Sequence, residues 1–392
     1  MNSKHLIPLM LATLCVQAAA QRDPRYDDSV VSQVRIDLRD LGYPPVDVIP
    51  SDESAIRALT VAPDGRIYGA TSGTRAHLFV LDPRHGYVVP LGRLPDKVVH
   101  HALAAGANGE VYIGMAPAVD NNGEGFANYP GGHLLKYIPK GERSTIRMDV
   151  ACPVEDLGIP VKGQGIYALT IDPKLGAVYG LTYPEGDFFS FRNGVFKTHG
   201  RVASAKMPGE KFENEKNIGR ALIVDNNGDV YTSGSGVLVR FRVKTQELEP
   251  LKAAVATVRG REEYNRVDAW TKDEAGNLYG GSSDGYLFRF DPERGRMENL
   301  GKPLNQYRIR GLVMARNGKL YGIGGDTDEL ARLFSYDPAR GVYEMLGMID
   351  VNRRPYYSWQ GYVFDSMAVG NDGTVYMGQA ERKSKLYLFY PE

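Results

Sequence analysis

Seven residues, one from each of seven similar segments, carry most of the chemistry open to this chain. They are Arg57, His101, Tyr167, Arg220, Asp268, Arg310 and Asp365. Each stands eight residues before a turn glycine, or nine in the third segment, which has one extra residue. The next residue is small every time: Ala58, Ala102, Ala168, Ala221, Ala269, Gly311 and Ser366. An imidazole, a phenol and guanidiniums facing one cavity suit β-elimination from a uronic acid. The C5 proton of such a sugar is weakly acidic and lies next to a carboxylate. Arg220 or Arg57 paired with that carboxylate stabilises the enolate-like charge of the transition state. His101 takes the proton, and Tyr167 protonates the leaving O4 or positions the substrate. Hydrolysis by paired carboxylates fits less well. Asp268 and Asp365 each fall between arginines around the seven copies, which lowers their pKa and spoils a general acid. The G-x-S-x-G elbow of a serine hydrolase is absent.

A structural reading stands beside the chemical one. Arg220, Asp268, Arg310, Asp365 and Arg57 alternate in sign, as a network of half-buried ion pairs would. The alternation breaks at His101 and Tyr167, which have no charged mate of their own. With His neutral, three Arg against two Asp leave the ring at +1, which favours an anion.

These residues need a scaffold that brings seven copies to one axis. The copies are RALTVAPDGRIYGA from Arg57, HALAAGANGEVYIG from His101, YALTIDPKLGAVYGL from Tyr167, RALIVDNNGDVYTS from Arg220, DAWTKDEAGNLYGG from Asp268, RGLVMARNGKLYGI from Arg310 and DSMAVGNDGTVYMG from Asp365. Each predicts a β-hairpin whose turn glycine supplies a positive φ. A third strand such as HLFVLDP or YLFRFDP follows, then a fourth such as VYEMLGMI. Four antiparallel strands repeated at roughly 40 to 60 residues make one propeller blade. The chain is therefore expected to be an all-β, seven-bladed β-propeller, one domain over residues 21–392. Its last copy lacks a fourth strand, and the segment SVVSQVRIDLRDLG at 29–42 is expected to supply it and close the ring. The first strand of each blade lines the axis, so the seven residues form a ring at one mouth of the channel.

Segments before each first strand, and links between second and third strands, share that face. They contain the expected substrate-binding residues: Arg310 in the ring, His100, Gln164, Tyr183, Tyr357 and Trp359, with His133 at the end of a long link (115–132) and His77 at the matching place in the first blade. Tyr356, Tyr357 and Trp359 could stack on sugar rings, and Arg308, Arg353 and Arg354 could hold carboxylates. Exposed loop Arg and Tyr are also ordinary solvated residues. His100 occupies a column otherwise apolar or Gly, and strand alternation predicts that it packs between blades while His101 faces the mouth.

Global charge excludes some partners. Lys plus Arg number 47 and Asp plus Glu 47, so nothing draws the chain to nucleic acid or anionic membrane. Residues 1–20 read as a signal peptide, with an apolar run too short to span a bilayer and Ala18 and Ala20 in an A-x-A pattern. The mature chain is expected to be periplasmic or secreted, and a monomer. Cys152 would be its only thiol, so no internal disulfide forms.

At the run GYPPVDVIPSDESAIRALTVAPDGRIYGATSG, the HHALAAGANGEVYIG blade and the YALTIDPKLGAVYGLTYPEGDFF blade, the chain resembles the seven-bladed propeller enzymes acting on L-rhamnose-α-1,4-D-glucuronate ends of arabinogalactan and gum arabic. The likeness covers roughly residues 30–392 and lies in blade sequence rather than in a short motif. It implies either a lyase, leaving an unsaturated uronate, or an α-L-rhamnosidase hydrolysing the same bond. For the lyases it implies a front-face His with Arg neutralisers, matching His101 or His100 with Arg220 and Arg310 or Arg57. The rhamnosidases use an N-terminal His on the opposite face, and residues 21–76 contain no His. The expected activity is thus a polysaccharide lyase on an acidic glycan, without cofactor. The rhamnosidase and a non-catalytic glycan-binding propeller are the alternatives. A metal shared by His77, His101 and His133, or Ca²⁺ at Asp326, Asp328 and Glu329, is a weaker expectation.

Overall fold

The structure is a computed structural model that describes residues 35–37, 49–84, 87–118, 124–140, 150–203, 218–262, 265–305, 307–326, 329–353, 357–381 and 384–391. The signal peptide, Arg354, Tyr356 and Asp328 fall outside these residues, as do the side chains of Arg353, Tyr357 and Trp359.

Seven four-stranded antiparallel sheets form the blades. The innermost strands, blades 1 to 7, are Ala55–Val61, Leu103–Ala105, Gly165–Asp172, Ile223–Val224, Val267–Lys272, Ile309–Met314 and Phe364–Val369. Closure takes the expected form. Strand Arg35–Asp37 pairs antiparallel with the final strand Lys385–Phe389, Ile36 opposite Leu386, and becomes the fourth strand of blade 7. That pairing ties the two ends of the chain together and covers an edge that would otherwise recruit another strand.

The recurrent Tyr-Gly and Leu-Phe pairs explain the packing. Tyr68, Tyr231, Tyr279 and Tyr376 of the second strands are fully buried. Where a glycine follows the tyrosine, as at Gly69, Gly180, Gly280 and Gly322, it lies under the phenylalanine of the third strand. A Cβ on Gly69 would stand 2.1 Å from Phe79 Cζ, and one on Gly280 2.1 Å from Phe288 Cζ. Only glycine lets the aromatic ring lie flat against the neighbouring strand there.

The ring column has a backbone cause that strand periodicity does not show. In five blades the register slips at that residue. Ile56 pairs with Thr71 and Ala58 with Ala70, leaving Arg57 as the extra residue. Tyr167, Asp268, Arg310 and Asp365 are skipped in the same way. A β-bulge bends the strand and re-aims one side chain. Here it turns Arg57, Asp268, Arg310 and Asp365 into the channel, while Tyr167 is buried beside it, edge-on to His101. In blades 2 and 4 the ladder begins only after His101 and Arg220, and His101 also lines the channel.

Candidate functional site

The channel mouth is a layered structure. Two residues beyond each ring position stand Leu59, Leu103, Leu169, Leu222, Trp270, Leu312 and Met367, and these line the same cavity as Arg57, His101, Asp268, Arg310 and Asp365. Its volume is about 160 Å³, room for roughly five waters. The indole N–H of Trp270 is buried there with no hydrogen-bond partner among the described residues.

One arc of the ring is a dense ion network. The Asp268 carboxylate accepts from Arg308 Nε at 2.8 Å and Arg266 Nε at 3.0 Å, with Arg220 Nε 4.0 Å away. Asp365 accepts from Arg310 Nη1 and lies 3.9 Å from both Arg220 and Arg57. Arg310 also donates to Asp326 at 2.5 Å and to the Gly325 carbonyl at 2.9 Å. Burial pushes both ring carboxyls up, but the surrounding guanidiniums overcome it and hold them well below the usual carboxylate range. Burial and Arg220 lower the Arg308 guanidinium to about 10, so it stays charged at neutral pH. Asp268 and Asp365 therefore have no proton to donate. Five arginines (57, 220, 266, 308, 310) face three aspartates (268, 326, 365), a net +2. Arg57 is the most open cation, 36 % exposed, with its Nε making no hydrogen bond.

The other arc is aromatic and neutral. The His101 ring meets Tyr167 edge-on at 6.2 Å and the His100 ring does so at 5.0 Å. The Arg220 guanidinium lies 5.9 Å from the Tyr167 ring centroid, within cation–π range. Both imidazoles are half-buried. Burial pulls His101 down to about 3, with Arg220 and Arg57 acting the same way against Asp365 and Asp268. His100 is pulled well below its usual value by burial, then by Arg57. Both are neutral at physiological pH. The structure thus gathers His100, His101, Tyr167, Arg220, Arg57 and Arg310 at one mouth.

Other expected residues lie elsewhere or are otherwise engaged. His100, ahead of the first strand of blade 2, lies against Tyr167 of blade 3 and, unlike His101, does not line the channel cavity. His77 is buried, its Nε2 2.6 Å from Glu53 Oε2, because the 3-10 turn Ser51–Glu53 covers it. His133 pairs with Asp156 at 2.9 Å. With His101 in the channel, His77 and His133 each hold a separate carboxylate and do not converge on a metal. Gln164 spends its amide on the neighbouring turn, donating to Asp187 at 2.6 Å and accepting from Thr182 and the Glu185 N–H. Tyr183 is buried behind Tyr167 at 5.6 Å and stands in a second layer. Asp326 faces arginines, and Glu329 accepts from the Tyr307 and Asp326 N–H groups, so neither is free for Ca²⁺. Among the described residues no three His, Cys, Asp or Glu gather as metal ligands. Arg266 is the ring member that sequence reasoning missed. It stands two residues before Asp268, as Arg308 does before Arg310, and this shared offset was the signal. Arg308 reaches the ring through a left-handed backbone, φ 62°.

No protein-family model matches the chain, and no curated protein matches it. Solved structures are similar in fold. Streptogramin B lyase is 13% identical, with a TM-score of 0.60 over 86% of this chain and 94% of that one. A catalytically inactive histidine-to-alanine variant of virginiamycin B lyase from Staphylococcus aureus, with quinupristin, is 11% identical, with a TM-score of 0.59 over 92% and 99%. The WD40 propeller domain of Doa1 is 11% identical, with a TM-score of 0.52 over 86% and 94%. At such identities the likeness is one of fold, to propellers that include lyases and WD40 proteins.

Proposed function

We propose that this propeller is a lyase that eliminates across the C4–O4 bond of a uronate, with an L-rhamnose-α-1,4-D-glucuronate end as the substrate class. The observation that carries this reading is a neutral His101 and the Tyr167 phenol beside an arginine ring with an excess of two positive charges. The substrate carboxylate pairs with Arg57, the most open cation of the ring, whose carboxylate neighbour Asp365 stands 3.9 Å away, with the positive charge of Arg220 beside it. Its negative charge opposes the contribution of Arg220 and Arg57, which adds to burial in holding His101 down. The imidazole thus gains basicity on binding, when it is needed. His101 takes the C5 proton, the C–H electrons form C4=C5, and O4 leaves with its bonding pair. Tyr167 or the new imidazolium returns a proton to O4, releasing rhamnose. Ionised Asp268 and Asp365 cannot act as general acids, which weighs against hydrolysis by a carboxylate pair. One propeller of similar fold is a lyase inactivated by loss of a histidine, in keeping with a histidine at the centre of this mechanism.

The test is ultraviolet absorbance of a C4=C5 unsaturated uronate with gum arabic as substrate, with free rhamnose measured in parallel. Both signals rising, and both lost in His101→Ala, supports the lyase. Rhamnose without absorbance identifies a hydrolase. Neither product, with glycan binding retained in His101→Ala, identifies a non-catalytic binding propeller.

A further inference from the structure

The long link of blade 2, residues 115–132, meets the aromatic arc of the ring through a series of packed side chains. Its 3-10 turn Glu124–Phe126 carries Phe126, half-buried against the apolar cluster that contains Tyr167. The Phe126 ring lies 5.2 Å from that of Tyr183, and the Tyr183 ring 5.6 Å from that of Tyr167. Tyr167 in turn meets His101 edge-on at 6.2 Å and His100 at 5.0 Å. These are the separations of attractive ring pairs, which favour particular angles. Tyr167 and Tyr183 are 2% and 3% exposed, so neither turns without displacing its neighbour.

The outer end of the series is tied down. Tyr129 packs edge-on against Phe126 at 5.9 Å, and its hydroxyl donates to the Asp96 carboxylate. Asp96 belongs to the segment joining blades 1 and 2, where its carbonyl accepts from the Ala76 N–H at 3.1 Å. Tyr129 N–H donates to the Phe126 carbonyl at 3.2 Å, Gly132 N–H to the Gln164 carbonyl at 2.7 Å and Gly163 N–H to the Pro130 carbonyl at 3.1 Å. Gly163 and Gln164 stand just before Gly165–Asp172, the strand that carries Tyr167. The link is thus fastened to the blade 1 side at one point and to blade 3 at another, with Phe126 held between.

His101 lacks the support that usually aims a general base, a hydrogen bond from a third group to its second nitrogen. Among the described residues no hydrogen bond to either ring nitrogen orients this imidazole. Its main chain is fixed, since Leu169 N–H donates to the His101 carbonyl at 3.1 Å, but the ring is set by packing on Tyr167. Proton transfer tolerates little error in that setting, because a displacement of about 1 Å costs up to about a hundredfold in rate. We infer that Phe126 is a positioning residue: acting through Tyr183 and Tyr167, it holds the His101 imidazole at the angle from which the C5 proton is taken. This rests on the proposed lyase reading.

The test compares Phe126→Ala, Phe126→Leu and the ring-preserving Phe126→Tyr with Phe196→Ala. Phe196 is a half-buried phenylalanine on the outer strand of blade 3, 4.7 Å from Phe191 and outside the series. Two quantities are read: the His101 Cε1–H resonance, which feels the ring current of Tyr167, and kcat and KM on a rhamnosyl-glucuronate disaccharide. In Phe126→Ala the His101 resonance is expected to move while those of His77 and His199 stay, and kcat to fall about tenfold with KM unchanged, since Arg57 is not part of the series. Phe126→Leu gives the same changes, smaller, and serves if the alanine variant does not fold; Phe126→Tyr restores both. Phe196→Ala moves neither. A His101 resonance that stays in place in both Phe126→Ala and Phe126→Leu overturns the inference, and so does an equal displacement in Phe196→Ala. If the unaltered chain turns over no disaccharide, the lyase reading fails alone, because the resonance still decides whether Phe126 sets the imidazole.

Discussion

Arg220→Gln raises the pKa of His101, and the structure sets a lower bound on the change. The Arg220 guanidinium is 5.9 Å and the His101 ring 6.2 Å from the centroid of Tyr167, so the two are at most ~12 Å apart. At an effective dielectric near 20, two unit charges at that distance repel by about 1.4 kcal/mol, or about one pKa unit. Any closer approach makes the effect larger. Removing Arg220 also leaves Asp268 and Asp365 less compensated, which favours an imidazolium further. His101 therefore moves from about 3 to about 4 or above. The assay is NMR titration of the histidine Cε1–H resonances from neutral to acid pH, with His101 assigned by its loss in His101→Gln. In the intact protein its resonance does not titrate near the ordinary imidazole value, and kcat/KM shows no acid limb there, since that profile reports the free enzyme. Two results refute the reasoning: His101 titrating near 6.5 in the unaltered chain, or a downward shift when Arg220 is removed.

Three further outcomes follow from the same geometry. Because His101 titrates near 6.5 unfolded and about 3 folded, the unfolded chain takes up the extra proton between those values. Stability is full above pH 6.5 and declines toward pH 3 by about 1 kcal/mol per unit, discounted for the imidazole's partial exposure; thermal melting from neutral to acid pH checks this, and His101→Gln flattens the slope. Asp365→Asn removes the counter-charge of Arg310 and, at 3.9 Å, of Arg57 and Arg220. It costs about 3–5 kcal/mol, against about 1 kcal/mol or less for half-open Arg57→Ala; urea titration of the two variants separates them. Gly280→Ala places a methyl 2.1 Å from Phe288 Cζ and costs about 1–3 kcal/mol by overpacking, read by the same titration.

The fold was legible because each blade repeats its own packing instructions. A turn glycine fixes the hairpin, and a Tyr-Gly before Leu-Phe fixes how two strands lie together. The ring column was legible because the turn glycine counts back to it. The bulge that makes it face the channel was not legible, since a skipped residue leaves no mark on alternation. His77 was misplaced because its cover, Glu53, comes from the segment before the blade and not from the repeat. Gln164 looked like a loop side chain free for ligand, but its partners belong to the adjacent turn of its own blade. For His77 the deciding contact came from outside the repeating unit, and for Gln164 from a turn of the same blade that the repeat pattern does not mark.

The division of the ring into two arcs follows from where the carboxylates stand. A buried charge is tolerable only beside its opposite, and all three aspartates lie on blades 5 to 7. That side gains a rigid ion network and loses proton chemistry at the ring, since Asp268 and Asp365 are held ionised. In blade 2 burial holds His101 neutral, leaving it a lone pair for exchange, and the Tyr167 ring of blade 3 stands edge-on against it. Arg57 and Arg220 stand at the two junctions, near 4 Å from the aspartates of one arc, with Arg220 also against Tyr167 of the other. An anion entering the mouth meets the open guanidinium of Arg57 at one junction. There its charge lies beside the neutral imidazoles, the groups whose basicity it can raise.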